Sequence, residues 1–280
     1  MKLFNRNWSI RLNDRKFDKP IDIAFKVEKS IKSEPNTCEL RIWNLSEAHR
    51  KELTAADKVA VRIDAGYVEG ITTIFNGELR YVHVERDGAD LITVIEGKDG
   101  GHAYQTARIN RSVPAGTSVE NVLRLCAEAM GVGLGNVLDS IRNSRIGNVG
   151  AKYTEGKVLS GPVARILTTL LNSAGMTWSI QDGNLQVLDR GRARQDTSVL
   201  LTPDTGLVEA VLDLTKKKKR QVQVVKVKTL MVPGIYPGRQ LRVRSETIQG
   251  AYRADKLIYT GDTKEGDWYI DIECKELVPV

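Results

Sequence analysis

Apolar and polar residues alternate at both ends of the chain, the period-two pattern of strands with one wet face. Residues 4–30 read as two strands, the second with Ile21, Ile23, Phe25 and Val27 set against Asp22, Ala24, Lys26 and Glu28. After a turn at Pro35-Asn36, Cys38, Leu40 and Ile42 alternate with Glu39, Arg41 and Trp43. Ser46 then has the character of an N-cap for a short helix from Glu47 to Leu53. Val59, Val61 and Ile63 begin a further strand that Ala65-Gly66-Tyr67 interrupts. Thr72–Arg86 and Asp90–Lys98 pair as a hairpin about Asp87-Gly88, a strong turn signal. Near the other end, Val222, Val224, Leu241 and Val243 alternate with Gln221, Gln223, Arg242 and Arg244. Turns at Pro233-Gly234, Pro237-Gly238, Thr260-Gly261-Asp262 and Glu265-Gly266-Asp267 punctuate that stretch.

Between these ends the period changes. Thr117 with Glu120 three residues on makes a capping-box pattern. Val119, Val122, Leu123, Cys126, Ala129 and Met130 follow it at helical spacing, and Gly131 stops the helix. Residues 133–150, rich in Gly and Asn, read as a loop. A second helix begins at Ser160 with Pro162 in its first turn, shows Val163, Ile166, Leu167, Leu170 and Ala174 on one face, and ends at Gly175. The two-residue turn Asp182-Gly183 places Ile180 opposite Leu185 and Trp178 opposite Val187. The expected fold is therefore mainly β with an α+β insert. A β module (1–104) and a second one (196–280), each an antiparallel barrel or sandwich, flank a small α/β unit with two helices and a hairpin (105–195).

The later β stretch echoes the earlier one. When Gly250–Glu276 is laid on Gly77–Asp99, Gly250 falls on Gly77, Arg253 on Arg80, Asp267 on Asp90, Ile272 on Ile95, Glu273 on Glu96 and Lys275 on Lys98. The later copy needs four more residues, which fall at a turn, where insertions cost little. An echo of this kind describes one β module used twice.

Composition narrows the picture. The 280 residues suffice for two or three cores, and 41% hydrophobic with 28% charged residues is ordinary for a globular protein. No apolar run is long enough for a membrane span, and residues 1–10 lack a signal-peptide core, so neither membrane insertion nor secretion by that route is expected. Cys38, Cys126 and Cys274 are scattered among apolar neighbours and read as buried reduced thiols. The net charge of +7 owes much to Lys216–Arg220. That run reads as a solvated loop before a strand near Val222, since no aromatic residues interleave with it as a base-stacking surface requires.

Candidate chemistry is sparse. His49, His83 and His102 are too dispersed for a zinc site, and no HExxH or CxxC is present. His102 follows Gly100-Gly101 and reads as solvated surface more readily than as a general base. Gly131–Gly135 follows a helix rather than a strand and reads as a cap and linker, not a nucleotide loop. Asp204, Asp255, Asp262, Asp267 and Asp271 lie mostly beside turns, and nothing singles out two of them as an acid/base pair. No enzyme, cofactor or metal site is expected.

The order of motifs resembles the baseplate hub proteins of contractile-tailed bacteriophages and related injection systems. The likeness rests on SEPNTCELRIWNLS (Ser33–Ser46), DAGY (Asp64–Tyr67), FNGEL (Phe75–Leu79) and DLITVIEGKDG (Asp90–Gly100) in the first module. It continues through VPAGTSVENVL (Val113–Leu123), LLTPDTGLVEA (Leu200–Ala210), VKTLMVPGIYPGRQLRVRS (Val227–Ser245), GAYRADKLIYTGDT (Gly250–Thr263) and DWYIDIE (Asp267–Glu273). The resemblance implies tail-tube-like β modules and a homotrimer whose six quasi-equivalent modules surround a DNA channel. The implied partners are the tail tube protein, a trimeric spike or tail-tip protein, baseplate wedge proteins and the tape-measure protein, with DNA as passing cargo. The implied location is the virion tail baseplate, after assembly in the host bacterial cytoplasm. No fused lysozyme or spike segment is recognisable, so cell-wall cleavage is expected to lie outside this chain. The rival readings are a nucleic-acid-binding β protein, from the positive charge, and a tail-tip cell-wall hydrolase. Ala65, Gly66 and Tyr67, with Val232, Pro233, Gly234, Tyr236, Pro237 and Gly238, are the candidate subunit-facing positions, because Gly, Pro and Tyr interrupt strands there.

Overall fold

The computed structural model describes residues 3, 5–143, 152–194, 196–217, 220–264 and 266–277. In chain order the first elements are β1 (Arg6–Leu12), β2 (Arg15–Phe17), β3 (Ile23–Ser30), β4 (Asn36–Trp43), α1 (Glu47–Ala55), β5 (Ala60–Tyr67), β6 (Gly70–Asp87) and β7 (Asp90–Asp99). Next come α2 (Gly101–Thr106), β8 (Arg108–Val113), α3 (Val119–Met130), α4 (Val137–Asn143), β9 (Lys157–Pro162), α5 (Val163–Ser173), β10 (Met176–Gln181) and β11 (Asn184–Asp189). The chain closes with β12 (Val199–Leu201), β13 (Leu207–Lys217), β14 (Arg220–Leu230), β15 (Gln240–Arg244), β16 (Gln249–Asp262) and β17 (Trp268–Glu276).

Contacts divide the chain into two compact units. One gathers residues 1–30, 37–98 and 195–280; the other takes 31–36 and 99–194. In the first unit, strands from both ends of the chain join one sheet ordered β13-β14-β17-β16-β3-β4-β7-β6-β5-β1-β2, with β15 beside β16 and β12 beside β15. The segments flanking the insert thus share a sheet and a single core, built from residues such as Ile10, Leu40, Ile63, Phe75, Val227, Leu241, Leu257 and Trp268. The alternation expected for β4 is realised, with Cys38, Leu40 and Ile42 buried.

Several local expectations need correcting. Residues 4–30 hold three strands, because Asn13 at φ 52° turns the chain between β1 and β2. β5 runs unbroken through Ala65-Gly66-Tyr67, which pair with Trp8, Asn7 and Arg6 of β1. A Cβ at Gly66 would stand 2.1 Å from the Gly70 carbonyl oxygen, so glycine permits a close backbone approach rather than ending the strand. Among the described side chains of β14 the buried ones are Val225, Val227 and Thr229, the opposite parity to Val222 and Val224. Gly261 lies inside β16 opposite Trp268, and the turn falls beyond it. The Lys216–Arg220 run is no plain loop: Lys217 pairs with Arg220 at the head of the β13–β14 hairpin, while Lys218 and Lys219 lie outside the described residues.

In the inserted unit the β10–β11 hairpin has the expected register, Ile180 opposite Leu185 and Trp178 opposite Val187. Asp182 and Gly183 both adopt positive φ, as a two-residue hairpin turn requires. The buried Asp99 carboxylate accepts the amides of Asp182 at 2.6 Å and Gly183 at 3.0 Å and holds that turn. Ser118, not Thr117, caps α3 by accepting the Asn121 amide at 3.2 Å; Thr117 spends its hydroxyl on the Pro114 carbonyl. Glu120 pairs with Arg124 one turn on instead of closing a capping box. The second helix starts at Val163, since Ser160 belongs to β9 and pairs with Asn110. A short helix, α4, occupies part of the expected 133–150 loop, and residues 144–151 lie outside the described ones.

Candidate assembly surface

The candidate chemical groups are engaged locally. Cys38, Cys126 and Cys274 are buried free thiols. Burial pushes Cys38 up to about 12 and Cys126 up to about 11, and raises Cys274 as well, so none is poised as a thiolate. His49 packs edge-on against Phe17 at 5.4 Å, His83 Nε2 lies 3.0 Å from Glu85 Oε1, and His102 is exposed in the first turn of α2. Asp255 accepts two hydrogen bonds from the buried Arg253 guanidinium, at 2.5 and 3.1 Å. Among the described residues no cluster of His, Cys, Asp and Glu is arranged to hold a metal ion.

The first candidate subunit-facing stretch reaches the residue just before the second one. Tyr67 is buried; burial raises its phenol, against a backbone hydrogen bond from Met231, the residue preceding Val232. Ala65 is also buried, and the Gly66 carbonyl accepts the Trp268 indole N–H at 3.1 Å. Pro237 and Gly238 are buried too, and the Gly238 amide donates to the Ala254 carbonyl at 2.7 Å. Tyr236 donates its hydroxyl to Asp196 at 2.5 Å, with the Arg239 guanidinium 5.1 Å over its ring. Only Val232, Pro233, Gly234 and Tyr236 of these positions retain partial exposure.

A stronger feature is the repetition of the strand pattern. The order β3-β4-β7-β6-β5-β1 recurs as β13-β14-β17-β16-β15-β12, with counterparts taken in the same chain order. Even the ladder defects correspond. In β6, Leu79 pairs with Gly97 and Tyr81 with Glu96, leaving Arg80 as a bulge. In β16, Ala254 pairs with Cys274 and Lys256 with Glu273, leaving Asp255 as the bulge. Glu96 and Glu273, Ile95 and Ile272, Lys98 and Lys275 are counterparts, as the sequence echo has them. The echo slips by two residues on the preceding strand, where Glu78, not Arg80, is the counterpart of Arg253. Two residues separate Asp87 from Asp90 and four separate Asp262 from Asp267, so the turn itself takes up two extra residues rather than four. One departure remains: β1 runs antiparallel to β5, whereas β12 runs parallel to β15.

The copies join edge to edge through β16 and β3, from Lys256 opposite Ser30 to Asp262 opposite Ala24. On the core face of this junction Tyr259 meets Val27, both buried. On the wet face Lys256 reaches Glu28 at 3.1 Å. Across the hairpin end, Lys264 reaches Asp90 at 3.0 Å and stands 5.0 Å over the Trp43 ring. A groove of about 280 Å³ crosses the wet face beside Val211, Lys226, Lys256, Ile258 and Asp271. Lys226 is matched there by Asp213 at 2.6 Å, so the groove is lined by mutually paired charges rather than by one sign.

Residues 7–274 match the baseplate hub gp41 family. The chain belongs to that family of phage tail structural proteins. A sequence search of curated proteins finds no match. The same fold is seen in the 43 kDa tail protein of prophage MuSo2 from Shewanella oneidensis, at 8% identity and a TM-score of 0.68, with 97% of each chain covered. A tail protein from Neisseria meningitidis MC58 shares it at 11% identity and a TM-score of 0.63, over 98% of this chain and 97% of that one. An E. coli type VI secretion component, described as similar to the T4 tail proteins gp27 and gp5, shares it at 9% identity and a TM-score of 0.62, over 96% of this chain and 77% of that one. Membership of the hub family places the protein in the virion tail baseplate. Among the described residues no helix is long and apolar enough to cross a membrane.

Proposed function

We propose that the protein is the ring-forming hub subunit that joins the tail tube to a central spike. Three copies, each carrying two tube-like halves at residues 1–104 and 196–280, close a ring of pseudo-sixfold symmetry around the DNA channel. Such a ring matches a sixfold tube on one face and a threefold spike on the other. The observation that carries this reading is the strand order repeated within one chain, with the copies already joined edge to edge. The type VI component's described likeness to both gp27 and gp5 supports a spike-type partner. The tail tube, spike, wedge and tape-measure proteins are the proposed neighbours, assembly takes place in the host cytoplasm, and the role needs no catalytic step. The partly exposed Val232, Pro233, Gly234 and Tyr236 are proposed as subunit-facing.

The test is mass measurement in solution combined with imaging, both free and within assembled tails. Three copies around a central hole are expected. A single copy per tail, or a ring without threefold symmetry, would sink the reading.

A further inference from the structure

The repeated strand order has a physical corollary at the outer edges of the sheet. Inside the chain, β3 of the first copy lies against the second half of β16. The counterpart of β3 is β13, which ends the sheet and pairs with β14 alone. The counterpart of that half of β16 is residues 81–87 of β6, which pair with β7 on one side. Among the described residues no strand lies on the other side, since β5 pairs with β6 only up to Glu78. The chain therefore shows one such junction closed and both halves of a second one open. Six strands separate β13 from β6 in the sheet, roughly 34 Å at about 4.8 Å per spacing, and the two do not pair within the chain.

The open edges carry the apolar surface that a junction needs. Nine large apolar side chains are exposed among the described residues, and five of them lie on these two edges: Tyr81 and Val84 on β6, and Val208, Val211 and Leu212 on β13. Unpaired strand edges with exposed apolar side chains are templates for another chain.

The closed junction also sets the register of the open one. Val27 pairs with Cys38, whose sulfur lies against Gly97. Leu212 pairs with Val225, and Val225 with Cys274, the counterpart of Gly97. Val27 and Leu212 are thus counterparts. Tyr259 and Val84 are counterparts as well, being paired with Ile270 and Thr93, which the shared bulge aligns. In the closed junction Tyr259 and Val27 are 3% and 0% exposed; in the open one Val84 and Leu212 are 48% and 49% exposed.

We propose that the β6 edge of one copy pairs antiparallel with the β13 edge of a second copy of this chain, with Val84 opposite Leu212. His83 then faces Asp213, and Glu85 faces Val211. His83 Nδ1 has no hydrogen-bond partner among the described residues. One like-charge pair, Asp87 against Glu209, falls at the end of the ladder, where fraying relieves it. The contact is heterologous: it uses two different edges and so propagates from copy to copy until it closes. This inference rests on the hub reading, and it names the edges through which the ring closes.

Cysteine cross-linking of the full-length chain tests it. V84C and L212C, each as a single variant, are purified, mixed and oxidised, and compared with each variant oxidised alone. The three native thiols are buried and give little background. A disulfide requires Cα atoms within about 7 Å. The mixture is expected to give a covalent dimer that neither variant gives alone, and the double variant V84C/L212C is expected to give one covalently closed oligomer. A dimer from V84C alone would mean a self-complementary edge and would overturn the inference. Absence of cross-links in the double variant, in protein that mass measurement shows to be oligomeric, would overturn the proposed register and leave the ring reading standing. Monomeric mass without cross-links in assembled tails would remove both. As a second measurement, L212K should abolish oligomers while leaving the circular dichroism of the chain unchanged.

Discussion

The two copies of the strand pattern differ most where their sequences are least different in character. Val27 and Leu212 are both aliphatic, lie on the same face of counterpart strands and pair with counterpart neighbours. One is fully buried and the other half-exposed. The difference comes from the neighbour: β16 covers β3, and nothing described covers β13. At these two counterpart positions, exposure of the apolar side chain follows the presence or absence of a covering strand and not the residue type. The second contrast lies at the hairpin ends, where the later copy has the longer turn and places Lys264 on Asp90 and Trp43 of the earlier one. The longer turn of the second copy thus adds contacts across the joint, while Arg6 of the first copy reaches the other way to the Asp262 carbonyl at 3.1 Å.

Trp268 gives the severest test of that asymmetry. It is 1% exposed, meets the Phe25 ring edge-on at 5.4 Å and donates its indole N–H to Gly66, both in the first copy. Its counterpart, Leu91, is only partly buried. Trp268→Ala should cost about 3–5 kcal/mol in the urea unfolding of the chain, through a large cavity and an orphaned carbonyl. Leu91→Ala should cost about 1–2 kcal/mol. Equal losses would mean that the joint gains no more from Trp268 than from Leu91.

The next contrast concerns backbone space. A Cβ added at Gly261 would stand 2.3 Å from the tip of the Phe25 ring, which is itself held against Trp268. Gly261→Ala should cost about 1–3 kcal/mol, since overpacking must displace a ring with nowhere to go. Its counterpart is Arg86 on an open edge, where Arg86→Ala should stay within about 0.5 kcal/mol in the isolated chain. Comparison of their thermal unfolding midpoints would show whether the junction is packed as tightly as these contacts indicate.

How far this architecture could be read from residue order depends on the element. Period-two alternation located β4, and the Asp182-Gly183 turn located its hairpin with the correct register, because a two-residue turn leaves only one. The hairpin expected about Asp87-Gly88 also forms, but Asp87 pairs with Asp90, so the turn residues are Gly88 and Ala89. The echo was visible through Ile95, Glu96 and Lys98 and their counterparts on β7 and β17. It slipped on the other strand because a bulge carries no residue-type signature of its own. Alternation in 222–225 named the wrong face, since consecutive Val224 and Val225 break the parity. Residue type does not separate Ser118 from Thr117, both being competent caps one residue apart. The open edges of β6 and β13 could not be read at all. Nothing local in Val84 or Leu212 distinguishes a strand covered by its own chain from one awaiting another.

The smallest effect expected is electrostatic and separates the two junctions by pH. Partial burial would by itself raise the Glu28 carboxyl, but hydrogen bonds and charge from Lys256 and Lys26 outweigh it and leave the group below its ordinary range. A carboxyl lowered on folding stabilises the folded chain above its unfolded value, about 4.3. That contribution fades as pH falls below this value and through the lower folded one. Glu28 is partly exposed, so solvent screening keeps the effect within about 1 kcal/mol. Glu28→Gln should therefore lower stability slightly at neutral pH and flatten its decline below about pH 4.3, measured by urea unfolding across a pH series. The counterpart of Lys256 on the open junction is Tyr81, which has no charge to offer Asp213 across the strands. Asp213 is instead paired with Lys226 on its own hairpin. Glu28 and Asp213 thus share no partner, so the stability losses of Glu28→Gln and Asp213→Asn should add in the double variant, each reflecting its own pair; a clear departure from additivity in urea unfolding would couple the two sites within the isolated chain and remove the asymmetry between the junctions.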